Sequence, residues 1–96
     1  MHEDLTHKVF ESILGQTVEL KSGGDRFNAR VDNVSLLRQN EGQDRQPFSV
    51  ELLADDSGDH GQQIYVLSHP DIGEASLFAV PLGPEKEGMR YQIVFN

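Results

Sequence analysis

The pair Gly23-Gly24 lies between two runs of strict alternation, and this arrangement constrains the fold more than any other feature of the chain. Before it, Val18 and Leu20 alternate with Glu19 and Lys21; after it, Phe27, Ala29 and Val31 alternate with Arg26, Asn28 and Arg30. Alternation with a period of two marks a strand with one buried face, and a glycine pair supplies the positive φ angles of a two-residue hairpin turn. A turn within Ser22-Gly23-Gly24-Asp25 sets Leu20 opposite Phe27 and Val18 opposite Ala29. A slip of one residue would face Leu20 with Asn28, so the apolar pattern itself selects the register. Val34 and Leu36 agree with each other but are out of step with Val31, which predicts a β-bulge at Asp32-Asn33 and a sharp bend in a long strand.

Ahead of this hairpin the period is helical. Leu5, Val9, Phe10, Ile13 and Leu14 share one side of a helix over 5–14, with Lys8, Glu11 and Ser12 outward. Asp4 is suited to the N-cap and Gly15 to the terminus. A helix this short does not hold in water alone, so it must dock its apolar stripe on the rest of the domain.

Beyond the hairpin, the polar stretch Gln39–Gln46 reads as a loop. Phe48, Val50 and Leu52 form the inner face of a third strand, and Ile64–Leu67 lie in a fourth. Between them runs the loop Asp55-Asp56-Ser57-Gly58-Asp59-His60-Gly61, and His69-Pro70-Asp71-Ile72-Gly73 forms a turn. Leu77–Leu82 is a fifth strand, apolar on both faces and therefore expected to be covered on both sides. Gly83–Gly88 connects it to Met89, Tyr91, Ile93 and Phe95 of a sixth. The expected elements are a helix at 5–14 and strands at about 17–22, 26–37, 47–54, 63–68, 75–82 and 89–95, in one mainly β domain over 1–96. A six-stranded antiparallel meander or barrel follows, since closure removes exposed edges, with the helix over one open end or face.

With 96 residues there is room for one domain with a modest core. No cysteine is present, which excludes disulfides and thiolate metal sites. No apolar run is long enough for export or membrane spanning, so a cytoplasmic location without membrane contact is expected. The net charge of −8 disfavours binding to a phosphate backbone. Arg26 and Arg30 share a strand face, but Asp25 and Asp32 flank them and Phe27 points inward, where it cannot stack on a base; no nucleic-acid partner is expected.

The chain carries no recognisable catalytic constellation. Ser68, His69 and Asp71 are of the right types for a triad, but neighbours within one turn cannot form its directed relay. His69 is better suited to packing or capping the turn. His2, His7, His60 and His69 include no pair at the four-residue spacing of a helical zinc site. The Asp55, Asp56, Asp59 and His60 loop offers oxygen ligands but lacks the spacing and distal glutamate of a calcium loop. Gly23-Gly24 has no helix start or Walker lysine behind it. Neither a cofactor, a metal nor catalysis is expected.

Several segments of the chain are familiar together. Pro47-Phe48-Ser49-Val50, Gln62 with Tyr65, His69-Pro70-Asp71-Ile72-Gly73, Phe78-Ala79-Val80-Pro81-Leu82-Gly83 and the closing Val94-Phe95-Asn96, in this order, resemble a family of small bacterial domains, domain of unknown function six-nine-one-six. The opening Leu5–Gly15 helix and the strand after it resemble that family too. One departure is Gly61-Gln62-Gln63, where members tend to carry Pro-Gln-Gly before the tyrosine strand. The resemblance implies no activity and no catalytic residues. It implies an association with phage-tail-like or collar-type proteins, and so a structural or accessory role. The same signature residues also have a purely architectural explanation: Phe48, Tyr65, Phe78 and Phe95 as core, and His69, Pro70, Gly73, Pro81 and Gly83 as turn formers.

The expected function is a non-enzymatic binding or assembly module with a protein partner, as an accessory part of a phage-tail-like particle. The alternative is a domain binding a small ligand such as a carbohydrate at the barrel mouth. Tyr65, His60 and His69 are the candidate ligand or partner surface.

Overall fold

The computed structural model describes residues 5–42, 44–55 and 60–96. Among these residues it contains one helix, α1 (His7–Glu11), and six strands: β1 (Thr17–Ser22), β2 (Asp25–Leu36), β3 (Phe48–Ala54), β4 (Gln63–His69), β5 (Gly73–Glu85) and β6 (Gly88–Phe95). The strands form a closed antiparallel barrel in the order β1-β2-β3-β6-β5-β4.

The first hairpin adopts the register that the alternation selects, with Leu20 opposite Phe27 and Val18 opposite Ala29. The β2–β3 register shifts between Val31 and Asn33, which places Asp32 at the bulge. Inward positions from all six strands fill one core. Val18, Leu20, Val31, Phe48, Val50, Leu52, Leu67 and Tyr91 are essentially inaccessible to solvent.

The helix is shorter than its pattern suggests. Regular α-helix spans only His7–Glu11, Ser12 is the C-cap, and Gly15 ends the turn at φ +83°. The expected Asp4 cap lies outside the described residues; Thr6 holds the N-cap position without a side-chain cap bond. Leu5, Phe10 and Ile13 are buried as anticipated, but Leu14 is about half exposed. The chain unwinds after Glu11, and Gly15 N–H bonds to the Val31 carbonyl rather than continuing the helix. Once the helical phase is lost, Leu14 no longer follows the stripe. The helix seats Phe10 against Phe95 (5.4 Å) and Phe48 (6.1 Å), which themselves stack at 4.4 Å, and so covers one end of the barrel.

Two features of β5 correct the reading from sequence. The strand runs through Gly73 at one end and Gly83-Pro84-Glu85 at the other, leaving Lys86-Glu87 as the turn to β6. The register shifts between Pro81 and Gly83, and Gly83 at φ +130° provides backbone geometry that L side chains rarely adopt. Second, β5 is covered on one face only. Leu77 and Ala79 point into the core, while Phe78 remains 52% exposed and Leu82 about half exposed on the outside.

Candidate functional site

The candidate residues of the sequence reading divide between the two ends of β4. At one end, His60 stacks on Phe27 at 4.2 Å with planes 10° apart, and its Nδ1 lies 3.7 Å from Asp25. Tyr65 donates its hydroxyl to the Gly61 carbonyl at 2.6 Å, and the Tyr91 hydroxyl accepts the His60 backbone N–H at 3.1 Å. Gln63 donates to the His60 carbonyl at 2.6 Å. The two tyrosines therefore bind the incoming 60–61 segment across the barrel end. Both hydroxyls are engaged within the chain, as buried phenols require.

His69 does not join them. It follows Tyr65 on the same face by four residues, about 13 Å along a strand. It is buried, and its Nδ1 accepts the Asp71 N–H at 3.0 Å, which puts the neutral ring's proton on Nε2, donating to Gln16 Oε1 at 2.9 Å. That is the turn-capping geometry. Ser68 directs its hydroxyl to Glu74, so Ser68, His69 and Asp71 form no relay. Of the acidic loop considered for a metal, Asp56 and Asp59 lie outside the described residues, as does His2. Among the described residues, no group of three or more His, Asp or Glu could hold a metal ion.

The densest electrostatic cluster is on the outer wall. Arg90 of β6 reaches Asp32 at 2.9 Å, Glu51 at 3.1 Å and both oxygens of Glu85. Asp32 also pairs with Arg30 at 2.9 Å. The bulge frees Asp32 from the ladder and turns its carboxylate toward Arg90, so one guanidinium joins β2, β3, β5 and β6. The Arg90 hydrogen bond, followed by that of Arg30, holds the Asp32 carboxyl below its ordinary value; the Arg90 bond does the same for Glu85. These carboxylates in turn hold Arg90 more firmly in its charged form. Each of these charges has an opposite partner within the chain, which suits the cluster to bracing the barrel.

The feature missing from the sequence reading is an apolar seam farther along β5 and β6, beside β4. Ile64 of β4 pairs directly with Phe78 of β5, and Val94 of β6 lies across from them. Ile64 is 62% and Val94 49% exposed. With Val80 they line a groove of about 710 Å³ whose one charged lining residue is Arg45. The groove exists because β5 and β6 part company. Their register begins at Val80↔Gln92, whereas β5 from Gly73 to Ala79 is registered against β4 alone, and β6 from Ile93 to Phe95 against β3 alone. The interior residues Leu77, Ile93 and Phe95 therefore reach the groove from below. A signal was present in sequence: apolar side chains at outward positions of β4, β5 and β6.

Fold and surface together define a small closed antiparallel barrel with an uncovered apolar seam. A family model described as Domain of unknown function (DUF6916) matches residues 5–95, and the chain belongs to that family. No curated protein and no solved structure matches it.

Proposed function

We propose that this domain is a non-enzymatic protein-binding or assembly module, and that the seam between β5 and β6 is its contact face. The observation that carries this reading is the row Ile64, Phe78 and Val94, about half or more exposed on three adjacent strands of a chain with net charge −8. Solvated outer walls are normally polar, and a contiguous apolar patch on a small domain marks an interaction site. Removing that patch from water favours association, and no acidic side chain lines the groove. We place the module in the cytoplasm and propose an accessory position in a phage-tail-like particle as its assembly. The engaged hydroxyls of Tyr65 and Tyr91, and the separation of His69 from them, favour this surface over a small-ligand site at the barrel mouth.

The test is co-purification of tagged protein from its native host, comparing wild type with Phe78→Glu. A defined set of partner proteins retained by wild type and lost from the variant is the expected result. Identical partners on both, or none on either, would remove the seam from the account.

A further inference from the structure

We infer that the seam takes an extended strand from a different protein, laid along the open edge of β5, with a carboxylate side chain of that strand beside Arg45. This rests on the reading of the seam as a protein-binding face and specifies what that face recognises.

The first argument is the backbone. A closed barrel has no free edge except where neighbouring strands separate, and here β5 from Gly73 to Phe78 has ladder pairs on its β4 side only. Six residues of strand extend about 20 Å and present alternate N–H and C=O groups to the side facing the groove. A helix laid there would fill the apolar space but leave those groups without ladder partners. An added strand satisfies them while its alternate side chains meet the apolar lining.

The second argument is what the edge lacks. Exposed edges are commonly guarded by lysine, proline or inward charges. From Gly73 to Ala79 the only charged residue is Glu74, and its carboxylate is turned toward β1 and β4, 3.4 Å from Lys21 and 3.5 Å from Ser68. Pro81 and Pro84 come only after pairing with β6 has begun.

Charge supplies the third argument and gives the strand a direction. Arg45 lines the groove three residues before Phe48, which pairs with Phe95, and its guanidinium donates to the Leu5 carbonyl, which fixes the positive charge at the Phe95 end. An acidic side chain on the added strand is complementary there. A second copy of the chain would bring its own charge of −8 against the same charge, which favours a different protein as occupant.

The experiment is selection of twelve-residue peptides from a random displayed library on the immobilised full-length chain, with Phe78→Glu as counter-target. Enriched sequences should alternate apolar and polar residues over about six positions and carry Asp or Glu at one end. Arg45→Glu should switch that end to Lys or Arg. With a selected synthetic peptide, amide resonances of Ser76–Ala79 and Ile93–Phe95 should shift. Methylating the peptide nitrogens on one alternate set should weaken binding at least about tenfold, and on the other set hardly at all, because only one set faces β5.

Enrichment of helically spaced peptides, no enrichment over the counter-target, or indifference to methylation at both sets would overturn the inference. So would sedimentation showing a dimer of the chain alone that Phe78→Glu dissolves. If Phe78→Glu strips the natural partners and yet no such peptide emerges, the strand mode falls and the contact face stands. If strand peptides bind and the natural partners remain on the variant, it is the proposed contact role that falls.

Discussion

Tyr65 illustrates how one side chain serves two parts of the molecule. Its ring packs against Phe27 and Tyr91 in the core, and its hydroxyl donates to Gly61 at the barrel end. Tyr65→Phe removes that donor from the Gly61 carbonyl and leaves the ring in place. The expected cost is about 1 kcal/mol, read as a Tm lower by about 6 °C in a thermal melt. Arg90 matters in a different way, through pH. Asp32 and Glu85 have folded-state values depressed below their ordinary 3.8 and 4.5. Their contribution is therefore complete above those ordinary values and is lost as pH falls through the lower folded ones. Stability should fall on acidification below about pH 4, and Arg90→Gln should flatten that limb as well as lower stability at pH 7. Denaturant titrations of both proteins between pH 2.5 and pH 7 would show it, and parallel curves would contradict it. The type of each of these residues was visible in sequence, but its partner was not. Asp32 meets Arg90 across 58 positions of chain, a proximity created by the bulge and barrel closure.

Among the elements, the helix and the last strand depend on each other. Phe10 is fully buried on Phe48 and Phe95, so Phe10→Ala should cost about 3–5 kcal/mol, enough to consume much of a small domain's stability. Deleting Ile93–Asn96 removes the Phe95 stack and three of the β3–β6 pairs, and should abolish the cooperative thermal transition. A truncated chain that still melts cooperatively would show that β6 is not integral. The first hairpin and the bulge were readable from Val18, Leu20, Phe27, Ala29, Val31 and Val34 because alternation is local, and a slip would bury polar groups. The fate of Phe78 was not readable in the same way. An apolar outward residue is covered or bare according to what else packs there, and no stretch of β5 carries that information. Leu14 failed similarly, since helical periodicity does not register where the helix unwinds.

At the scale of the whole molecule, two stretches of the barrel's outer surface differ in kind. One is braced by the ion pairs around Arg90; the other exposes Ile64, Phe78 and Val94 where β5 and β6 separate. A surface kept apolar for binding should contribute little to folding. Phe78→Glu is expected to change stability by no more than about 0.5 kcal/mol while abolishing partner capture. A large loss of stability in a denaturant melt would instead make Phe78 a structural residue. The central claim is that the seam is an open strand edge, and amide hydrogen exchange of the isolated protein, resolved residue by residue, tests it most directly. Along Gly73–Phe78, amides facing β4 should be protected to the level of β3, while the alternate amides facing the groove should exchange orders of magnitude faster. Uniform protection from Gly73 to Ala79 would mean that β5 and β6 are zipped along their length, and would contradict the account.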